Sequence, residues 1–286
     1  MPPSNLRFEG IGTAWQIDTP DELSGLVGDR VRGRVEAFDR AYSRFRPDSL
    51  VARLAEAPGT VDFPDDAAEL FDLYDLLDEV SEGAVTPLVG RSLEHLGYDS
   101  AYSLTAGPGR VVPARWPDAV SRVGASVTTT APTVIDVGAA GKGYLIDLVA
   151  EVLVDSGVES FVIDASGDLV NRGEPLRVGL EHPFDPSKAI GVVTLGNESL
   201  CASGSNRRVW GEGLHHILDG RTGAPTSDII ATWAIAKNGL LADGLATALF
   251  FVPPARLAPH FDFDWVRMHS NGIAERSRTL RGEVFS

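Results

Sequence analysis

The chain is poor in sulfur, with one cysteine, Cys201, and two methionines among 286 residues. A single thiol allows no intrachain disulfide and no cysteine-built zinc site. Long apolar runs are missing as well. No stretch approaches the roughly 18 residues a membrane-spanning helix needs. Basic residues are scarce: 25 Lys and Arg stand against 40 Asp and Glu, a formal charge of −15. That balance disfavours nucleic acid and an anionic membrane as partners, because both call for a basic face. The opening, MPPSNLRFEG, has neither a basic start nor an apolar run. It predicts no secretory leader, no lipoprotein start and a cytoplasmic location.

What is present is globular material, 43% hydrophobic and 23% charged. That is enough for a packed core. No internal repeat or low-complexity tract appears. Gly12 to Ile17 reads as a strand and Asp21 to Phe45 as a long helix. In the helix, Leu23, Leu26, Val27, Val31, Val35, Phe38 and Tyr42 recur at helical spacing, and Pro47 follows its end. Ala67 to Val80 reads as a second helix. The segment 99–132 reads as irregular. A strand at Thr133 to Val137, a small-residue loop at Gly138 to Gly143, a helix at Tyr144 to Asp155 and a strand at Ser160 to Ala165 then form a unit. Such a unit presents a helix N-terminus to an anion. Further strands are expected at Leu176–Leu180, Ile190–Leu195, Leu200–Ala202 and Trp233–Ala236, a helix at Leu241 to Phe251, and a strand pair within 263–284. Strands mixed with helices without strict alternation predict an α+β fold.

Four places carry candidate chemistry. In Asp136-Val-Gly-Ala-Ala-Gly-Lys142-Gly-Tyr-Leu-Ile-Asp147, small residues allow close backbone approach. A lysine at a helix start makes sense facing an anion. The plainer reading is a tight turn with a solvated lysine. Neither a P-loop nor GxGxxG fits. In Ala242-Asp243-Gly-Leu-Ala-Thr247, Asp243 and Thr247 lie four apart on one helix face. They are hard oxygen ligands suited to Mg²⁺; the alternative is that Asp243 caps the helix. In His215-His216-Ile-Leu-Asp219-Gly-Arg221-Thr-Gly223, adjacent histidines point to opposite sides, so at most one faces a site. The rest reads as an ordinary turn. Arg207 and Arg208 could clamp a phosphate or form a solvated edge, and Cys201 before them reads as inert packing.

Together these pieces resemble the ApbE family of FAD:protein FMN transferases, over roughly residues 8 to 285. Ser43-Arg-Phe45-Arg-Pro-Asp48-Ser49 resembles the family's S-x-Y-x-x-D-S. Gly83 to Gly90 resembles G-x-F-D-P-T-V-G. Asp136 to Asp147 resembles D-L-G-G-I-A-K-G-Y-x-x-D. Ala165 to Asp168 resembles x-G-G-D, and Ala202-Ser203-Gly204 resembles T-S-G. His216 to Gly223 resembles H-I-L-D-P-R-T-G, and Ala242 to Thr247 resembles A-D-A-L-A-T. The order of the motifs carries the resemblance more than any one of them.

The resemblance implies one two-lobed ApbE-like unit over 1–286, mixed sheets with packed helices, FAD as substrate and Mg²⁺ as cofactor. It implies transfer of FMN to a Ser or Thr hydroxyl of an acceptor protein, with release of AMP. Carried over by position, the metal is expected on Asp243, Thr247 and the Ala139 carbonyl. FAD contacts are expected at Ile11, Phe45, Ala84, Val85, Thr86, Asp136, Lys142 and Ile217. His216 matches the family histidine proposed as acid or base, and His216, Asp243 and Lys142 form the expected catalytic set. The chain departs from the family pattern at Phe45 for Tyr, Thr86 for Asp, Leu88 for Thr, Ser166 for Gly and Gly220 for Pro. Two competing readings use the same site: Mg²⁺-dependent FAD hydrolysis to FMN and AMP, and FAD binding without turnover.

Overall fold

The computed structural model describes residues 4–285; positions 1–3 and 286 of the expected 1–286 unit lie outside that range. The backbone is organised by one eight-stranded sheet, with every neighbouring pair antiparallel. Its order runs Ser4–Gly10, Thr13–Thr19, Phe161–Asp164, Asp168–Arg172, Ser199–Gly204, Ile229–Ala236, Asp264–His269, Ala274–Arg276. Mixed helices and antiparallel sheets make the α+β expectation correct.

Period-two alternation sorts the sheet's side chains into two cores. Cys201, Ala234 and Ala236 face the helices, with Ile17, Ile163 and Val170. Their neighbours Leu200, Trp233 and Ile235 face the other way. There they meet Leu180, Ile190, Val193 and Leu195 of a three-stranded sheet, Leu176–His182, Asp185–Leu195 and Gly282–Val284. The Ile229–Ala236 strand is buried at every position, as a strand covered on both faces should be.

The helical face carries Gly25–Tyr42, Ala67–Ser81, Gly141–Asp155 and Gly239–Ala248. The first of these begins at Gly25 rather than Asp21, because the Ser24 hydroxyl accepts the Val27 amide and caps it there. It ends at Tyr42, before Phe45, so Arg44 and Phe45 sit on the turn into the Leu50–Glu56 helix.

Three further boundaries differ from the sequence reading. Thr133 to Val137 is not a strand: the Thr133 amide bonds the Leu54 carbonyl and the Asp136 amide the Pro87 carbonyl. Those loop partners satisfy the backbone that a sheet would otherwise satisfy. The following helix starts at Gly141, inside the expected loop. Segment 99–132 is not wholly irregular either, because Val120–Val123 and Ser126–Thr129 pair, and the latter joins Gly59–Asp62. The tail does contain the expected pair, Asp264–His269 with Ala274–Arg276.

Candidate active site

Two helices meet through glycines. A Cβ on Gly143 would lie 2.0 Å from the Gly239 carbonyl oxygen, and one on Gly239 would lie 2.4 Å from that of Gly143. Only the absence of side chains allows this approach. The start of the Gly239–Ala248 helix is capped twice. The Asn238 side chain accepts the Leu241 amide at 3.1 Å, and the Asp147 carboxylate accepts the amides of Gly239 and Leu240, both at 2.8 Å. Burial raises the Asp147 pKa to about 6 against the pull of those two amides.

Asp243 is therefore not the cap of its own helix; it serves the first turn of the Gly141–Asp155 helix instead. It sits inside its own helix, 4% exposed, and its Oδ2 accepts the Gly143 amide at 2.9 Å. One turn on, the Thr247 hydroxyl donates to the Ala139 carbonyl at 3.1 Å. Of the three oxygen donors expected to hold a metal, the Thr247 hydroxyl and the Ala139 carbonyl are thus in contact, and Asp243 lies one turn before Thr247 on the same helix. Burial, then the nearby Asp168 carboxylate, pushes the Asp243 carboxyl well above its usual range. A hard divalent cation is what such an oxygen set suits. Among the described residues no group of three His, Cys, Asp or Glu side chains could hold a metal. A cation here would rest on the mixed carboxylate, hydroxyl and carbonyl set.

Lys142 is not a solvated turn lysine. Its Nζ donates to the Ala165 carbonyl at 3.1 Å and lies 3.1 Å from Asp168 Oδ2. Burial works to lower its pKa, but Asp168 and Asp243 outweigh that and hold it charged. The other Asp168 oxygen accepts the Ala202 amide at 3.2 Å, tying the lysine to the Ser199–Gly204 strand. Cys201, next in that strand, is fully buried and its thiol pKa is pushed up by burial, in keeping with inert packing.

A second cluster lies around Asp136. Its Oδ2 accepts Arg44 Nε at 2.6 Å and its Oδ1 accepts the Gly138 amide at 2.7 Å. Burial works to raise this carboxyl's pKa, yet the Arg44 guanidinium and the Gly138 amide hold it below the usual range. Arg44 Cζ stands 4.1 Å from the Phe45 ring centroid and 5.0 Å from that of Tyr98. Phe45 also stacks on Tyr102 at 5.5 Å, and Tyr98 on Trp210 at 5.5 Å. The adjacent arginines separate: Arg207 pairs with Glu181 at 3.0 Å, while Arg208 Cζ lies 5.8 Å over the Tyr98 ring.

The two histidines face different surroundings. His215 is buried, with Nε2 on the Thr226 carbonyl at 2.9 Å and Nδ1 accepting the Ile217 amide at 3.3 Å. His216 Nδ1 is buried with no partner. Burial, Arg208 and His215 lower its pKa to about 3, so the ring is neutral near pH 7. Ile217 packs with Ile229 and Phe250.

The remaining expected contacts are backbone-rich. Ala84, Val85 and Thr86 are buried side chains. The Thr86 hydroxyl accepts the Leu88 amide at 3.3 Å, capping the Pro87–Val89 turn. Aspartate is an equally good cap, so this departure keeps the local role. Gly220 donates its amide to the Ala84 carbonyl at 2.9 Å, a bond proline cannot donate. Ile11 turns the first hairpin at φ 46°. Ser166 stands at φ 57°, its hydroxyl donating to the Ala14 carbonyl at 3.0 Å. Sequence reasoning missed Arg44, and missed Asp147 as a cap and Asp168 as the lysine's partner. The last two lay in matched motifs, but their partners are distant in sequence.

The sequence profile of the ApbE family matches residues 11–262. An FAD:protein FMN transferase of Klebsiella pneumoniae (strain 342) is 25% identical over 88% of this chain and 79% of its own length. One of Escherichia coli (strain K12) is 22% identical over the same shares. The crystal structure of the ApbE protein of Thermotoga maritima superposes with a TM-score of 0.83 at 23% identity, covering 97% of both chains. The flavin transferase ApbE of Vibrio cholerae superposes with a TM-score of 0.80 at 18% identity, covering 97% of this chain and 98% of that one. With both helices of the site and the strands that carry them inside the matched span, the chain belongs to the ApbE family.

Proposed function

We propose that this protein is a Mg²⁺-dependent FAD:protein FMN transferase. The observation that carries the reading is the paired contact of Gly143 with Asp243 and of Ala139 with Thr247, which gathers a buried carboxylate, a hydroxyl and a carbonyl. Membership of the ApbE family, and relatives named as FAD:protein FMN transferases, supply the substrate.

In this reading Asp243, Thr247 and the Ala139 carbonyl hold the cation. Bound there, it would neutralise charge on the FAD pyrophosphate. The acceptor's Ser or Thr oxygen attacks the phosphorus of the FMN half, the bond to the AMP oxygen breaks, and AMP departs with the electron pair. Such a transfer needs positioning and charge neutralisation more than covalent help from the enzyme. Lys142, kept charged and aimed by Asp168, adds positive charge beside the developing anion. His216 Nδ1 is uncommitted and so open to the acceptor proton, but the ring's lowered pKa makes it a weak base unless negative charge lies beside it. A nearby pyrophosphate raises its basicity, because a neighbouring negative charge favours imidazolium. Phe45, stacked on Tyr102 with Arg44 against its ring, forms an aromatic wall, while Ile11, Ile217 and the Ala84–Thr86 backbone complete the others.

The test combines purified protein, FAD, Mg²⁺ and an acceptor domain bearing a modifiable threonine. Flavin fluorescence on the denatured acceptor and AMP are both read. Equal amounts of labelled acceptor and AMP, both lost with EDTA, support transfer. AMP without label means hydrolysis, and intact bound FAD means a binding protein.

A further inference from the structure

Arg44 is the most deeply buried arginine near the site that still has unspent hydrogen-bonding capacity. Its side chain is 4% exposed. Its Nε is spent on Asp136, but Nη1 and Nη2 are buried with no acceptor. Buried donors almost always find acceptors, since an unpartnered one loses its water without gaining a partner. The uncommitted edge carries two parallel N–H groups on a fixed fork, the geometry that meets two oxygens of one phosphate. The Phe45 ring, 4.1 Å from Cζ, covers the guanidinium's face, so an acceptor must arrive edge-on. Arg208 reaches the same aromatic group from the other chain segment, 5.8 Å over Tyr98.

The charged groups around this spot show why the acceptor must come from outside. Asp136 uses one oxygen on Arg44 and the other on the Gly138 amide. Asp99, also close enough to feel Arg44, spends its carboxylate on the amides of Ala101 and Ser103 and on the Ser103 hydroxyl. Neither carboxylate lies against the fork's two free nitrogens. His216 supplies another buried nitrogen with no partner.

We propose that Arg44, with Arg208 beside it, is a phosphate-binding arm of the site, and that Asp136 is a positioning residue that aims Arg44. This inference rests on the reading of the ligand as FAD and deepens it. The pyrophosphate is met by the Asp243–Lys142 side and by a second cationic arm built on the turn at residues 43–46. The sequence position expected to contact FAD, Asp136, acts through the arginine.

The experiment measures dissociation constants for FAD, ADP and riboflavin, all with Mg²⁺, on wild type, Arg44→Lys and Asp136→Asn. Lysine keeps a cation next to Asp136 and removes the fork. The double variant Arg44→Gln/Asp136→Asn removes both charges and leaves no unpaired buried ion. Ligand-free melting temperatures establish that each variant is folded. Arg44→Lys is expected to weaken FAD and ADP about tenfold or more, by the loss of charge-assisted bonds. It should leave riboflavin unchanged and raise KM for FAD more than it lowers kcat. The double variant should behave likewise, and Asp136→Asn should lose less than Arg44→Lys. ADP affinity unchanged by Arg44→Lys, or absent in wild type, overturns the phosphate role. A matching loss for riboflavin overturns it too, placing a flavin carbonyl at the fork. A larger loss of ADP with Asp136→Asn than with Arg44→Lys overturns the positioning role. Wild type that binds ADP but not FAD sinks the proposed function and leaves Arg44 to be judged on ADP.

Discussion

Gly143 and Asp243, a hundred positions apart, are joined by one hydrogen bond: the glycine amide donates to the buried carboxylate at 2.9 Å. The bond exists because the two helices touch through bare backbone. The proposed metal site depends on that approach.

Substituting Gly143 by Ala should therefore disable the protein without touching a reactive group. Its Cβ would stand 2.0 Å from the Gly239 carbonyl oxygen and 2.6 Å from Asp243 Cβ. Backbone cannot yield as a side-chain tip can. The expected cost is at least about 3 kcal/mol of stability, the upper end of overpacking effects. FAD turnover should be lost even at temperatures where the variant is folded. Denaturant unfolding together with an AMP-release assay checks both.

Asp147 is a remote cap for the helix that carries Asp243 and Thr247. Asp147→Ala leaves the Gly239 and Leu240 amides without acceptors. A loss of about 1–2 kcal/mol is expected, with Asn238 still capping Leu241. Hydrogen exchange at residues 239–243 should speed up selectively.

His216 gives a pH signature. Its folded pKa, about 3, lies below its ordinary value of 6.5. Between those limits the unfolded chain holds the extra proton, so this residue's contribution to stability falls as pH drops through the window. Above 6.5 it is level. His216→Gln should show a shallower loss of stability between pH 7 and pH 5 than wild type, measured by denaturant midpoints. Equal slopes would contradict the buried neutral imidazole.

Gly220→Pro would restore the common family residue and should harm this chain. It removes the donor to the Ala84 carbonyl, and its Cβ position lies 2.4 Å from the Gly83 carbonyl oxygen. A cost of about 1–3 kcal/mol is expected for the unmade bond alone, read as a lowered melting temperature.

The sequence made part of this legible. The i, i+4 spacing of Asp243 and Thr247 placed both on one helix face, and the structure sets Thr247 on the Ala139 carbonyl and Asp243 on the Gly143 amide. Adjacent histidines had to diverge, and they do: His215 is tied into the backbone while His216 keeps a free nitrogen. Strands were legible at Leu200–Ala202 and Trp233–Ala236, but not that both of their faces would be covered. Long-range pairings were illegible. Nothing near Arg44 in sequence marks Asp136 as its partner, 92 positions away. Thr133 to Val137 has strand composition, but its backbone bonds were taken by Leu54 and Pro87, and composition cannot foresee that competition.

In the proposed site, the oxygen set of Asp243, Thr247 and Ala139 takes a divalent cation when FAD is bound. The most direct measurement is Mn²⁺ binding to the FAD-loaded protein by electron paramagnetic resonance, on wild type, Asp243→Asn and Thr247→Val. One bound ion is expected in wild type, weakened about tenfold or more by Asp243→Asn and less by Thr247→Val, with Mg²⁺ displacing it. An ion bound equally well by all three proteins would contradict the proposed site.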